Sequence, residues 1–267
     1  MTRIFTVDAF ADAPFRGNPA GVCPLDGPRE DTWMLSVAGE MKHSETAFFW
    51  PEGDALRLRW FTPEVEVDLC GHATLATSHI LWEEGFLPTG GEAHYLTRSG
   101  PLSAVRRGGL IELDFPATVP ESALDSMDLA GALGAEILGL WRSRFDFLAL
   151  LKDEATVRGL APDHRALRSL GLRGCIVTAQ AQTPGFDFVS RFFAPGVGID
   201  EDPVTGSAHC ALGPFWAERL GKTQLAAYQA SKRGGTVHVR VAGDRVILGG
   251  KAVTVVKGEL SEAPRVG

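Results

Sequence analysis

Two stretches of this chain bring a glycine, a polar residue and an alanine to the start of an apolar, helix-period run. Residues 59–74 read RWFTPEVEVDLCGHAT, and residues 191–209 read RFFAPGVGIDEDPVTGSAH. Each copy opens with Arg, an aromatic and Phe (Arg59-Trp60-Phe61 and Arg191-Phe192-Phe193), with Pro63 or Pro195 two residues on. Each then reaches its turn, Gly71-His72-Ala73 or Gly206-Ser207-Ala208. The first N–H groups of a helix lack internal partners, and the helix dipole places partial positive charge there. Glycine at such a turn lets a ligand approach the backbone closely. Two termini of this kind facing each other would hold a small anion, above all a carboxylate. Either turn alone reads more readily as an ordinary helix start. Their recurrence, with matching lead-in strands, points to a duplicated strand–turn–helix and one shared site.

Three side chains near these features could do chemistry. Glu45 follows Ser44 and precedes the apolar run TAFFW. A carboxyl there is either solvated, or a helix cap, or partly buried; burial would raise its pKa toward acid–base use. Asp202 stands before Pro203, which favours extended backbone at Asp202. Its carboxylate either points into a site or caps the following helix. His72 opens the first helix, where the positive helix end favours a neutral imidazole able to donate or accept a hydrogen bond.

Other chemistries lack their signatures. The seven histidines form no HExxH, and the helical i, i+7 pair His72 and His79 shares no carboxylate in register between them, so no metal is expected. There is no GxSxG elbow, no GxGxxG and no P-loop, so a serine hydrolase and a nucleotide cofactor have no support. Cys23, Cys70, Cys175 and Cys210 form no CxxC pair and are too few for a disulfide framework. Cys23 and Cys175 sit in apolar surroundings, as small core residues do.

The elements that must position these groups are short strands: IFTVDAF, AGVCPL, TAFFW, ALRLRWFT, AHYLTR, LSAVRR and LIELDF in the first half. Helices are expected at 29–41 and from Gly71 to a stop at Gly85. The stretch 116–132 reads as a connection and a helix start. A strand and short helix (RFDFLALLKDEATVRGL), a helix and turn (LRSLGLRG), and strands CIVTAQAQ and DFVSRFFAP follow. The second motif helix ends at Gly221, and the rest reads as hairpins with turns at Gly234-Gly235 and Gly243-Asp244. Regular βαβ alternation is absent, which argues against a doubly wound parallel sheet. The expected class is α+β, in two similar domains spanning 1–117 and 118–267.

Composition fits such a chain. Of its 267 residues 45% are hydrophobic and 22% charged, enough for a sizeable core. A net charge of −7 disfavours nonspecific nucleic-acid binding. No signal peptide or membrane-spanning run is legible, so a cytoplasmic location is expected.

At this point the residues reach a family. The chain resembles the phenazine-biosynthesis PhzF-like isomerases through VDAF-ADAPFRGNPAGV at 7–22, HSETAFF at 43–49, WFTPEVEVDLCGHATLA at 60–76, FFAPGVGIDEDPVTGSAH at 192–209 and GGKAVTV at 249–255. The resemblance implies two barrel-like, mostly antiparallel sheets, each wrapped around a central helix, as in diaminopimelate epimerase and proline racemase. It allows the last strand to pack back on the first domain, and places the site in the cleft between domains. Glu45 matches the proton-transferring carboxylate, and His72 and Asp202 match supporting polar groups. Ser207 matches the serine at the second helix start, and Gly71 and Gly206 match turns whose amides bind substrate. The implied chemistry is cofactor-free, with Glu45 moving a proton between carbons of a small carboxylate. A homodimer is also implied.

The related epimerases use a cysteine at each turn as opposed acid and base. Here Cys70 fills the first slot, but Thr205 fills the second, and its hydroxyl titrates far too high to act as a base. Cys70 is therefore expected to be structural or to line the site beside Thr205. Three readings remain: a single-glutamate isomerase, a one-base epimerase or racemase of an amino or hydroxy acid, and a small-acid binding protein without turnover.

Overall fold

A computed structural model describes residues 1–88, 90–124 and 127–261. In chain order the elements are β1 (Thr2–Ala9), β2 (Asn18–Pro24), α1 (Asp31–Met41), β3 (Thr46–Glu52), β4 (Ala55–Phe61), β5 (Glu66–Val67), α2 (Gly71–Glu83), β6 (Ala93–Thr97), β7 (Gly100–Arg107) and β8 (Leu110–Pro116). Then come β9 (Glu121–Ser122), α3 (Met127–Leu133), β10 (Gly139–Arg142), β11 (Phe147–Leu150), α4 (Glu154–Gly159), α5 (His164–Ser169), β12 (Cys175–Gln180) and β13 (Phe188–Phe193). The last elements are α6 (Gly206–Leu220), β14 (Gln224–Gln229), β15 (Gly235–Ala242), β16 (Arg245–Gly250) and β17 (Ala252–Leu260). The chain divides into two units, Met1–Leu113 with Gly250–Gly267, and Asp114–Gly249.

The duplication is written in the strand pairing. In the first unit β17–β1 and β1–β2 pair antiparallel, β2–β3 parallel, β3–β4 antiparallel, β4–β6 parallel, and β6–β7 and β7–β8 antiparallel. In the second, β9–β10 and β10–β11 pair antiparallel, β11–β12 parallel, β12–β13 antiparallel, β13–β14 parallel, and β14–β15 and β15–β16 antiparallel. The order of orientations is the same. A parallel step needs a crossover, usually helical. The first parallel step is spanned by α1 in one unit and by α4 and α5 in the other; the second is spanned by α2 and by α6.

Those second crossover helices are the central ones. Ten of the 13 residues of α2 are buried, Thr74, Thr77 and Ser78 among them. A helix buried nearly all round belongs in an interior, and α2 packs on β1, β2, β3 and β17. Its inward hydroxyls bond within the core: Thr74 Oγ1 donates to the Cys70 carbonyl (2.6 Å), and the Ser78 hydroxyl meets the Tyr95 hydroxyl (2.6 Å). The α6 helix packs on β14 and β15 and stops at Gly221, in the left-handed region at φ 64°, as glycine at a helix end commonly does. Pro214 lies inside α6 and cannot bond the Cys210 carbonyl; the Thr118 N–H takes that acceptor instead (3.1 Å).

The helices and strands expected from sequence fall where they were read, with α1 starting at Asp31 and α2 ending at Glu83. The short strands β5, β9 and β10 are additions, β5 in the loop before α2. The latter two flank α3, and each of the three is too short to show an alternating pattern. None of the described helices is long and apolar enough to cross a membrane.

Candidate active site

In the first unit, four side chains from two segments meet. Glu45 Oε2 lies 3.3 Å from His72 Nε2. The Ser44 hydroxyl lies 3.3 Å from the same nitrogen, and Cys70 Sγ is 3.5 Å from His72 Nδ1 and 4.0 Å from Nε2. Donor atoms of Glu45, Cys70 and His72 all lie within 4.8 Å of one another. Cys70 and His72 are buried, and the Glu45 side chain keeps 14% of its surface exposed.

The sheet puts Glu45 there. The β2–β3 register sets Gly21 opposite Thr46, and the Gly21 N–H donates to the Glu45 carbonyl (3.1 Å). Gly21 has to be glycine: a Cβ on it would stand 2.5 Å from Thr46 Oγ1 and 2.8 Å from Cγ2. Strands β3 and β4 pair from Thr46–Phe61 to Glu52–Ala55, so the chain returns beside Glu45 before entering α2. Cys70 occupies the N-cap in extended backbone, with no side-chain cap bond. Gly71 and His72 then begin the helix. Their N–H groups are among those with no partner inside the helix.

Burial raises the Glu45 carboxyl above the ordinary carboxylate range, against hydrogen bonds from Ser44 and Cys70 that pull it down. A carboxyl tuned upward, still partly exposed and beside an imidazole, can take a proton from carbon and give it back.

The second unit holds a differently furnished turn. Thr205 is the N-cap of α6, also extended, and its hydroxyl donates to Asp202 Oδ2 (2.5 Å). The Asp202 carboxylate thus reaches back to the cap. Gln229, wholly buried at the end of β14, holds both residues: its Nε2 donates to the Asp202 carbonyl (2.7 Å) and to Thr205 Oγ1 (3.2 Å), and its Oε1 accepts from the Thr205 N–H (2.9 Å). His209, one turn into α6, bonds the Thr205 carbonyl through Nδ1 (2.8 Å), and burial pushes its imidazole down to about 4. Gly206 is buried. Ser207 is half-buried, with its hydroxyl 3.4 Å from Arg173.

The repeated arginines explain the repeated motif. Arg59 makes a two-pronged bond to Glu66 (2.7 and 2.6 Å) and lies 5.0 Å over the Phe61 ring. Arg191 does the same with Glu201 (2.7 and 2.9 Å) and lies 4.8 Å over Phe193. Each clamps the loop leading into its central helix onto the strand before it. Bidentate pairing and ring stacking are what guanidinium does and ammonium does not.

Sequence reasoning saw the arginines but not their partners, and it missed Gln229 and Ser44. The 7–22 motif also gains a reason. Buried Asp8 accepts the Phe15 N–H (2.6 Å), which fastens a loop whose Phe10 and Phe15 both have positive φ, 58° and 69°. Non-glycine residues in that region mark strain held by surrounding structure. Cys23, Cys175 and Cys210 are buried, and burial pushes each thiol up to about 12.

The chain matches the family described as phenazine biosynthesis-like protein (PhzC-PhzF) over residues 7–258. An uncharacterised isomerase of Halalkalibacterium halodurans is 49% identical over 260 residues, covering 97% of this chain and 98% of that protein. A PhzF-family crystal structure from Enterococcus faecalis superposes with a TM-score of 0.94 at 44% identity, covering 98% of this chain and 99% of that one. The fold extends to a probable proline racemase of Agrobacterium radiobacter (TM-score 0.66, 12% identity, covering 100% of this chain and 94% of that one). The fold is thus α+β and of the diaminopimelate epimerase kind. By its sequence, its fold and its relatives the chain belongs to the phenazine biosynthesis-like family, and its activity is of the isomerase kind.

Proposed function

We propose that the protein is a cofactor-independent isomerase of a small carboxylate, with Glu45 as the single proton carrier. The observation behind this reading is the Glu45–His72 pair, 3.3 Å apart at the start of α2, with the Glu45 carboxyl raised by burial. Glu45 in its ionised form takes a proton from an acidic C–H. The bonding electrons move into the conjugated system, and negative charge gathers on the substrate oxygens. The positive end of a helix dipole stabilises such charge. Glu45 then returns the proton to another carbon, and the double bond shifts with no net gain or loss of atoms. His72 holds the Glu45 carboxyl in place. In the second unit, Asp202, Thr205, Ser207 and the first amides of α6 furnish another helix start of the kind that holds a carboxylate.

One observation favours a second reading. The Cys70 sulfur lies 3.5 Å from His72 Nδ1, and a thiol beside an imidazole is a possible acid–base pair for an epimerase. Thr205 weighs against a two-base version, since its hydroxyl is engaged as a donor to Asp202.

The experiment is incubation in D2O with a panel of unsaturated and chiral small carboxylic acids, followed by NMR and polarimetry. Deuterium entry with a moved double bond supports the isomerase. Deuterium entry with loss of optical activity and no bond shift supports the epimerase. No exchange into any acid that binds leaves a binding protein.

A further inference from the structure

The Glu45, Cys70 and His72 cluster has a second chemical property, independent of proton transfer. It offers a carboxylate oxygen, a sulfur and an imidazole nitrogen, a donor set suited to zinc. Its spacing is close to what a tetrahedral ion requires. Bond lengths of about 2.0–2.1 Å to nitrogen and oxygen and about 2.3 Å to sulfur give tetrahedral edges of about 3.3 Å and about 3.6 Å. The His72 Nε2 to Glu45 Oε2 edge is 3.3 Å, and the Nε2 to Cys70 Sγ edge is 4.0 Å. The sulfur is the donor that has to move: its edge to Nε2 is 4.0 Å, and all three donors lie within 4.8 Å of one another. The three donors come from two segments, which is why no contiguous sequence signature announces them.

We propose that Glu45, Cys70 and His72 form a binding site for a thiophilic divalent cation, zinc foremost, in which the bound ion blocks the protein instead of serving it. Three protein ligands leave the fourth position to water. Binding displaces the Cys70 thiol proton, and the Glu45 proton where that carboxyl is protonated, so affinity rises with pH. The bound ion occupies the carboxylate and imidazole that the proposed isomerisation uses. The inhibitory consequence therefore rests on that reading, while the site itself does not.

Cobalt(II) tests the site directly, because its spectrum reports ligand type and geometry. The full-length chain is stripped with chelator and titrated with cobalt alone, then with zinc as competitor. The expected result is one equivalent bound, intense visible bands of a four-coordinate ion, and a near-ultraviolet thiolate-to-cobalt band, all abolished by stoichiometric zinc. Cys70→Ser should remove the thiolate band. His72→Gln and Cys70→Ser should each weaken zinc by more than about tenfold, since even outer-shell changes cost that much. Circular dichroism confirms that both variants are folded. The pale spectrum of a six-coordinate ion, or a thiolate band that survives Cys70→Ser, would overturn the site. If the bands appear and zinc leaves D2O exchange untouched, the site stands and the role given to Glu45 falls.

Discussion

The Glu45 carboxylate oxygen sits 3.3 Å from His72 Nε2 because Gly21 lets β2 and β3 close together one residue away. A backbone hydrogen bond from Gly21 to the Glu45 carbonyl fixes the height of the carboxyl above the start of α2. The geometry of the candidate site is thus set by a residue with no side chain.

Gly21→Ala should therefore disturb both stability and site. The added Cβ meets Thr46 on both branches of its side chain, and overpacking of this kind costs about 1–3 kcal/mol. Urea unfolding should show that loss. Turnover should fall by more than the unfolded fraction explains, because Glu45 moves with Thr46. A variant as stable and as active as the wild type would refute the account of Gly21.

Glu45 should also leave a signature in stability against pH. Its folded-state pKa is raised, so the folded protein holds the proton more tightly than the unfolded chain. Stability linked to this group is full below the ordinary carboxylate pKa, and it declines as pH rises toward the higher folded value. Glu45→Gln removes that decline. The variant should melt above the wild type at neutral pH, and the gap should close on acidification. Parallel melting curves across this range would mean that the carboxyl is not held as described.

His209 should act in the opposite direction. Burial lowers its imidazole to about 4, so the unfolded chain takes up a proton before the folded one does. Stability from this group is full above its ordinary value of 6.5 and is lost as pH falls toward about 4. His209→Gln should flatten the acid side of the stability profile. An unchanged acid limb would show that His209 protonates without penalty.

Gln229 offers a test of the second turn. Gln229→Leu keeps the volume but leaves the Asp202 carbonyl and the Thr205 N–H without their partner. Each buried polar group left unsatisfied costs about 1–3 kcal/mol. Denaturant unfolding should register the loss. KM should rise more than kcat falls if the α6 turn binds substrate, whereas unchanged kinetics in a destabilised variant would confine Gln229 to the fold.

What the sequence revealed and what it hid follow one physical line. The central helices were legible because each is announced by a glycine, an apolar run and a stop, all local signals. The doubling was legible because Arg-aromatic-Phe recurs. The purpose of that triplet was not, since Glu66 and Glu201 reach Arg59 and Arg191 only after the loops fold back. Gln229 was hidden for the same reason: it reads as one polar residue at the end of a strand, and only the parallel β13–β14 pairing brings it to Thr205. The role of Glu45 came from the family motif, not from its local sequence, which fitted a solvated or helix-capping residue better. The meeting of Cys70 with Glu45 depends on β3, β4 and their return, which no spacing rule encodes.

The most direct test of the central claim is solvent proton exchange by Glu45→Gln compared with Cys70→Ala. Both are assayed in D2O on a carboxylic acid that the wild type deuterates, after folding is confirmed. The account predicts that Glu45→Gln loses about 10²–10⁴ of the exchange rate, the usual worth of a positioned acid–base group. Cys70→Ala should retain most of it. Exchange that survives in Glu45→Gln and vanishes in Cys70→Ala would contradict the account and place the proton on the thiol.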